Sequence, residues 1–410
     1  MKTALRFTLL WAVLFLAACA TPAPKQGGYS PLILISIDGF RADYLDRGLT
    51  PNLAALAAGG VRAQAMRPAF PSLTFPNHYT LVTGLYPDHH GIVNNRFTDP
   101  VSGKKFVYKD IHTTSDPMWW GGEPIWIGAE RQGKRAATMF WPGSDVAIDG
   151  VRPDYWKPFD GKVSADARVA QVLAWLDLPV AQRPDFVTLY FDAVDHVGHD
   201  HGPDSPEVND AIAATDRALG HLLAGLRQRG LADKANLVVV SDHGMVSTAN
   251  GADFVILDDI VDVRDLDIQQ FGLLAMFAAK PGHEASVDKA LLAPHEHMRC
   301  WKKGEVPARL HYGSNPRIPP LLCLADPGWL IWTREFVDRP GFFVSKGEHG
   351  YDNADPHMAA LFIAHGPAFK HGIVVPEFDN VDVYPLLTRV LGIRPAPNDG
   401  NPATANEILR

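Results

Sequence analysis

Six aspartate and histidine side chains in this 410-residue chain follow apolar segments or lie in a glycine-rich loop, and together they could bind metal ions. They are Asp38, Asp195, His199, Asp242, His243 and His349. Each alone could be a turn, helix-cap or loop residue. As a set, mixed carboxylates and imidazoles favour zinc or a similar divalent ion over calcium or magnesium. Since one catalytic ion usually takes about three protein ligands, six residues favour two ions.

A hydroxyl that could act as a nucleophile lies in the stretch from Ser72 to His78. Pro76 is typical of the first turn of a helix, which places Thr74 where an N-cap residue would lie. A helix N-terminus attracts phosphate, and a hydroxyl held there could attack it. A threonine that only caps the helix would fit the same position.

Alternating strands and helices predict a doubly wound α/β fold, with a mixed, mostly parallel sheet sandwiched by helices. Continuous apolar runs, such as 236–240, are typical of strands covered on both faces. Strands are predicted near 31–37, 61–69, 136–141, 185–191, 236–240 and 357–363, and helices near 52–58, 79–85, 165–176, 205–229 and 381–391. In such sheets ligands gather at the carboxyl ends of the strands, where five of the six candidate ligands are predicted to lie.

The regular alternation of strand and helix patterns stops between residues 253 and 344, where short segments are interrupted by proline and glycine. We therefore predict a catalytic domain formed by residues 31–252 and 345–410, with a smaller inserted or capping region at 253–344.

The N-terminus is predicted to be an export signal. Lys2 and Arg6 precede an apolar run that ends at Ala18, which predicts a signal peptide over residues 1–18 and a tether over 19–30. Residues 16–19, Leu-Ala-Ala-Cys, resemble a bacterial lipoprotein signal, which implies a lipid on Cys19 and a periplasmic protein anchored to the outer membrane. The alternative is an ordinary secretory signal cut near the same place.

The amino-acid composition bears on which molecules the protein could bind. The net charge of −8 provides no basic field for nucleic acid polymers, so a nucleotide substrate would be a small molecule. Besides Cys19 the chain has Cys300 and Cys323, which could form a disulfide in an oxidising compartment or remain two buried thiols.

Several ordered motifs resemble those of the nucleotide pyrophosphatase/phosphodiesterases of the alkaline phosphatase superfamily, and the resemblance covers nearly all of the mature chain. The motifs are Ile37-Asp38-Gly39-Phe40-Arg41, Thr74-Phe75-Pro76-Asn77-His78, Trp141-Pro142-Gly143-Ser144-Asp145, Asp195-His196-Val197-Gly198-His199, Ser241-Asp242-His243-Gly244-Met245 and His349-Gly350-Tyr351-Asp352-Asn353.

This resemblance implies an alkaline phosphatase-like fold and two zinc ions. It implies that one ion is held by Asp38, Thr74, Asp242 and His243, and the second by Asp195, His199 and His349. Thr74 would be the nucleophile and form a phosphothreonine intermediate. Asn95, rather than the adjacent Asn94, would bind a phosphoryl oxygen together with the Thr74 N–H. Histidines 78, 196, 201 and 357 are interpreted as structural or supporting residues.

Three aromatic residues are predicted to bind substrate: Phe75, Phe159 and Tyr190. Phe159 lies where members that use nucleotides often carry tyrosine, and two aromatic faces could sandwich a nucleobase. Core packing is the alternative for Phe159 and Tyr190. Leu73 departs from the lysine of many animal members, which removes a positive charge beside the nucleophile.

The sequence therefore predicts a metal-dependent hydrolase that cleaves phosphodiester or pyrophosphate bonds and releases nucleoside 5′-monophosphates. A lipid or choline-type phosphodiesterase with the same site is the alternative substrate class. A non-enzymatic metal- or nucleotide-binding lipoprotein is disfavoured, because such a protein would not need a hydroxyl between two ions.

Overall fold

A computed structural model describes residues 28–248 and 253–410 of the chain. The predicted signal peptide, Cys19 and the predicted tether up to residue 27 lie outside the described residues. Among the described helices, none has the length and apolar character needed to cross a bilayer.

The described strands form one large sheet and several small ones. In chain order they are β1 (Leu32–Ile37), β2 (Val61–Ala63), β3 (Met66–Arg67), β4 (Arg96–Thr98), β5 (Lys105–Val107), β6 (Ala136–Met139), β7 (Tyr155–Lys157), β8 (Phe186–Phe191), β9 (Asn236–Val240), β10 (Val246–Ser247), β11 (Asp253–Ile256), β12 (Leu266–Gln270), β13 (Leu274–Ala279), β14 (Met298–Lys302), β15 (Leu321–Ala325), β16 (Trp329–Trp332), β17 (Gly347–Glu348), β18 (Phe362–His365), β19 (Ile373–Val375) and β20 (Phe378–Asp379).

The α-helices of the same residues pack mainly on the two faces of the large sheet. They are α1 (Pro51–Gly59), α2 (Thr74–Thr83), α3 (Pro87–His90), α4 (Ile111–Thr114), α5 (Ile125–Arg131), α6 (Ala165–Leu176), α7 (Ala193–His201), α8 (Pro206–Gln228), α9 (Glu284–Leu291), α10 (Arg334–Val337), α11 (Val383–Leu391) and α12 (Thr404–Ile408).

The large sheet has the strand order β19-β2-β18-β9-β1-β8-β6-β7. Strand β1 lies at its centre and pairs in parallel with both β8 and β9. Strand β18 is antiparallel to both of its neighbours, and the other pairs of this sheet are parallel. This is the mixed, mostly parallel sheet predicted from the sequence.

Both faces of the sheet are covered, which explains the uninterrupted apolar runs. Side chains alternate along β1, so that Ile33, Ile35 and Ile37 belong to one core while Leu32 and Leu34 belong to the other. Helices α1, α6 and α8 contribute to the first core, and α2, α5 and α11 to the second. Burial on both faces excludes water from the middle of the sheet and leaves the ends of the strands as the accessible edge.

Three predicted elements differ from the structure. The helix expected at 79–85 begins at Thr74 and ends at Thr83, where Gly84 in the left-handed conformation closes it. The strand expected at 357–363 begins only at Phe362, because residues 356–358 form a 3-10 turn. The strand expected at 61–69 is interrupted, giving β2 and β3.

Residues 253–344 build their own sheets. Strands β12, β13, β15 and β14 form an antiparallel sheet in that order, and β11 pairs with β16. The domain boundaries at residues 252 and 345 stay a prediction. Cys300 and Cys323 lie opposite each other on β14 and β15 and form a disulfide, which answers the question that the sequence left open.

Candidate active site

Two aspartates follow the carboxyl ends of the neighbouring strands β1 and β9. Asp38 follows Ile37, and Asp242 comes two residues after Val240. Gly39 has a φ of +67°, and a Cβ there would lie 2.9 Å from the Asp195 Cα. A glycine is therefore required for the turn at Asp38 to pack against the helix that carries Asp195.

Asp195, His199 and His349 form one candidate metal site. Helix α7 places Asp195 and His199 one turn apart, with His199 Nε2 3.5 Å from Asp195 Oδ1. His349 follows β17, and its Nε2 lies 3.5 Å from the same oxygen and 3.2 Å from His199 Nε2. Ligand atoms around a tetrahedral zinc ion, with bonds of ~2.0–2.1 Å, are about 3.3 Å apart, so this spacing fits one ion.

Asp38, Asp242 and His243 form the adjoining site. His243 Nε2 lies 2.9 Å from Asp242 Oδ2 and 3.4 Å from Asp38 Oδ1. Thr74 Oγ1 is 3.3 Å from the same nitrogen. The rings of His243 and His349 stack with centroids 3.5 Å apart, which makes the two groups parts of one centre.

Backbone carbonyls orient the three candidate histidine ligands. Nδ1 of His199 donates to the Gly347 carbonyl at 2.7 Å, and Nδ1 of His349 donates to the Ser72 carbonyl at 2.9 Å. His243 uses its Nδ1 in the same way. Because a carbonyl only accepts, Nδ1 carries the proton in each ring and Nε2 presents a lone pair to the centre.

The carboxylates of the centre present oxygens that no donor satisfies. Asp38 Oδ1, Asp195 Oδ1 and Asp242 Oδ2 are buried and have no hydrogen-bond partner among the described residues. Buried acceptors that face one another without a donor are costly unless a cation lies between them. The donor set therefore fits divalent cations.

Neighbouring charges shift the pKa of both fully buried carboxyl groups, Asp38 and Asp242. Burial raises the pKa of Asp38 well above its ordinary value, and the charges of Asp242 and Asp195 raise it further. Burial alone would raise the pKa of Asp242, but His243 and His78 beside it hold that pKa well below its ordinary value. A bound cation would relieve this repulsion by favouring the ionised form of every carboxylate.

Thr74 is the first residue of α2, and Leu73, not Thr74, occupies the N-cap position. The N-cap role considered from the sequence is therefore wrong, and the hydroxyl instead faces His243. Asn95 Oδ1 accepts a hydrogen bond from the Phe75 N–H at 3.1 Å, which places Asn95 beside the start of α2. Asn94 is buried and directs its amide to the Met276 sulfur.

The three aromatic residues predicted to bind substrate have different surroundings. Tyr190 is only 8% exposed, and its hydroxyl donates to Asp38 Oδ2 at 2.5 Å. Its ring packs against His78 and Phe159 and its hydroxyl supports Asp38, which fits the alternative of a packing residue, so base binding by Tyr190 stays a prediction. Phe159 is 55% exposed, and its ring contacts Phe140 and Tyr190 edge-on. Phe75 is half-buried and packs against Tyr108.

Of the four histidines interpreted as structural or supporting, His78 lies inside the centre. Its Nδ1 is 2.9 Å from the Thr74 carbonyl and 3.2 Å from Asp242 Oδ2, and its Nε2 is 2.8 Å from the Ser36 hydroxyl. These contacts fit a residue that holds Asp242 and the start of α2. The other three lie away from the centre, beside surface carboxylates: His196 with Asp200, His201 with Glu207 and His357 with Asp355.

Sequence reasoning missed the residues that form the space beside the centre. A cavity of about 230 Å³ is lined by His199 and His349 together with Tyr108, Phe271 and Trp332. These aromatics come from distant segments without a shared motif, so no local pattern could have grouped them.

A larger cavity, of about 550 Å³, is lined by charged residues that include Arg62 and Arg309. Arg62 is paired with Asp46, and Arg309 with Asp352. None of the candidate ligands lines this larger cavity.

This chain is similar to known proteins over most of its length. The family described as type I phosphodiesterase / nucleotide pyrophosphatase matches residues 32–352. Ectonucleotide pyrophosphatase/phosphodiesterase family member 1 of Mus musculus is 40% identical over 399 residues, which cover 94% of this chain and 43% of that protein. An uncharacterised pyrophosphatase/phosphodiesterase of Schizosaccharomyces pombe is 40% identical over 382 residues, which cover 90% of this chain and 79% of that protein.

Among solved structures, murine ectonucleotide pyrophosphatase/phosphodiesterase 5, as an inactive variant in complex with AMP, superposes with a TM-score of 0.87. It is 34% identical, and the match covers 93% of this chain and all of that one. The chain spans less than half the length of the mouse family member 1 and of several other curated relatives.

The hydrogen bond from Tyr190 to Asp38 yields a prediction about metal binding. Replacing Tyr190 with phenylalanine frees Asp38 Oδ2 to turn, so zinc affinity is expected to fall about tenfold or more. Titration of the metal-free protein with zinc measures this. Tyr79→Phe is the matched control, because the Tyr79 hydroxyl is buried without a partner among the described residues. Equal zinc affinity in wild type and Tyr190→Phe would contradict the supporting role.

Proposed function

Because this chain belongs to the type I phosphodiesterase/nucleotide pyrophosphatase family, a family of metal-dependent hydrolases, we propose that it hydrolyses small nucleotides at phosphodiester or pyrophosphate bonds. The products are nucleoside 5′-monophosphates. The observation that carries this proposal is the position of the Thr74 hydroxyl at the start of α2, 3.3 Å from His243 Nε2 and beside two groups of candidate ligands.

Two zinc ions are the proposed cofactor. Asp38, Asp242 and His243, together with the Thr74 oxygen, would hold one ion, and Asp195, His199 and His349 would hold the other. When bound, the ions supply Lewis acidity that makes a threonine hydroxyl nucleophilic near neutral pH and neutralises charge on the phosphoryl group.

The chain itself positions the reacting atoms. Thr74 Oγ1 forms a bond to phosphorus as the bond from phosphorus to the leaving oxygen breaks, which gives a phosphothreonine. Water then hydrolyses this ester and restores the hydroxyl. The start of α2 favours negative charge on the phosphoryl oxygens. Asn95 is held there through its Oδ1, which leaves its NH₂ group to donate to one of them.

Recognition of a nucleoside is proposed for Phe159. Its exposed ring lies 5.9 Å from the Tyr190 ring, and the Tyr190 hydroxyl binds Asp38, so Phe159 lies near the centre on the Asp38 side. The AMP complex of the murine relative supports a nucleotide as the substrate class. Phe75, held by Tyr108, is the proposed second ring.

The nucleophile assignment predicts a separation of catalysis from metal binding. Thr74→Ala is expected to lower kcat by at least about a thousandfold, because no hydroxyl remains to attack phosphorus. Its zinc content, measured by mass spectrometry, is expected to stay at the wild-type level, since six other ligands remain. Thr74→Ser is the control and should retain turnover. Full activity of Thr74→Ala would refute the assignment.

Substrate class is tested with two nitrophenyl esters on one preparation. The thymidine-monophosphate ester is expected to have a higher kcat/KM than the phosphocholine ester, because Phe159 offers a stacking face. Phe159→Ala should lower kcat/KM for the thymidine ester about tenfold and leave the choline ester unaffected. A dominant activity on the phosphocholine ester would instead support the lipid or choline-type alternative.

Export as a lipoprotein remains a proposal that rests on residues 1–19 of the sequence. A lipid on Cys19 would anchor the enzyme to the outer membrane from the periplasmic side. Cells fed labelled palmitate are expected to label the wild type and the double variant Cys300→Ser/Cys323→Ser, but not Cys19→Ser. Labelling of the Cys19→Ser variant would contradict the anchor.

A further inference from the structure

The 230 Å³ cavity beside the centre adjoins the place proposed for the nucleoside: Tyr108, which packs against Phe75, lines the cavity, but Phe75 itself does not. His199 and His349 line it, so it opens onto the catalytic centre. Its walls include Leu73, Arg96, Tyr108, Phe271, Trp332 and Glu348. Neither Phe159 nor Tyr190 lines it.

We propose that this cavity is the leaving-group subsite, and that it takes an uncharged planar group carried on a single phosphate, such as the second nucleoside of a dinucleotide, rather than inorganic pyrophosphate. This inference rests on the proposed function and names the kind of substrate that the same site prefers.

The geometry of an in-line displacement is the reason to place the leaving group in this cavity. In an in-line displacement the leaving oxygen departs opposite the attacking one. Thr74 Oγ1 contacts His243, which forms one candidate metal site with Asp38 and Asp242. The other group of candidate ligands, Asp195, His199 and His349, would then stand beside the leaving oxygen, and the last two line the cavity.

The aromatic wall of the cavity is held in place before any ligand arrives. Gly272 and Ile331 exchange two backbone hydrogen bonds, of 3.0 and 2.9 Å, which join the segments that carry Phe271 and Trp332. These two rings lie 5.5 Å apart at an interplanar angle of 23°, and Phe336 packs against both. A preformed apolar wall suits a planar group, because little side-chain entropy is lost on binding.

The charges that line the cavity disfavour a polyphosphate. Among the described lining residues Arg96 is the only arginine or lysine, and Glu348 adds a carboxyl group. The Arg96 guanidinium lies 5.8 Å from the Tyr108 ring centroid, where it could bind one phosphate. Leu73, next to the nucleophile, adds no charge. Departing inorganic pyrophosphate carries several negative charges, which one arginine does not balance.

The test compares diadenosine diphosphate with ATP. Wild type is expected to have a higher kcat/KM for diadenosine diphosphate. Phe271→Ala should lower that kcat/KM about tenfold and leave the value for ATP unchanged. Phe336→Leu is the matched control, because Phe336 packs behind the wall without lining the cavity. Trp332→Leu, at the other ring of the same wall, is expected to act like Phe271→Ala and covers the case that the latter misfolds.

Binding gives a readout that is independent of turnover. In the Thr74→Ala background, calorimetry should show that Phe271→Ala weakens the binding of diadenosine diphosphate about tenfold without changing the Kd of ATP, which has no second nucleoside. Preferred hydrolysis of ATP by the wild type, or an equal loss of ATP binding in the variant, would overturn the subsite. If no nucleotide ester is hydrolysed at all, the proposed function fails; if the thymidine ester is hydrolysed but ATP is preferred, only the subsite fails.

Discussion

Mutual repulsion of three carboxylates whose facing oxygens are buried is the constraint on which this centre depends. Asp38, Asp195 and Asp242 each direct an oxygen with no donor into the same small volume. In a medium of low dielectric such an arrangement is unfavourable unless positive charge lies between the oxygens. The three carboxylates are therefore arranged as ligands around a cation. Binding of a cation is expected to stabilise the folded structure at this end of the sheet.

The fold brings these groups together from segments more than 300 residues apart. Central strand β1 supplies Asp38, its neighbour β9 leads to Asp242, and the helix after β8 carries Asp195. Since these three adjacent strands are parallel, their carboxyl ends lie along one edge. The histidines are then oriented by carbonyls of other loops, such as that of Ser72, so ring direction is set by tertiary structure rather than by local sequence.

Sequence reasoning worked where the signal was local. The apolar run of β9 and the periodicity of α6 and α8 predicted buried elements with nearly correct ends. The spacing of Asp195 and His199 predicted a shared helical face, because residues four apart in a helix are neighbours. The six candidate ligands were selected for their chemistry at the ends of strands, and the structure brings all of them together.

Contacts between segments that are far apart in the sequence could not be predicted from it. Tyr190 reads from the sequence as a possible stacking residue, but the direction of its hydroxyl depends on how β8 pairs with β1. Thr74 fits the pattern of an N-cap, and only the loop before it shows that Leu73 takes that position. Phe271 and Trp332 meet through a backbone bridge between Gly272 and Ile331, for which neither segment carries a signal.

The antiparallel pairing of β10 with β17 has a consequence for two of the candidate ligands. These two short strands bring the start and the end of the intervening residues 248–346 together, three residues after His243 and directly before His349. The backbone hydrogen bonds between the two strands therefore tie the positions of the two imidazoles to each other, although the residues between the strands form sheets of their own.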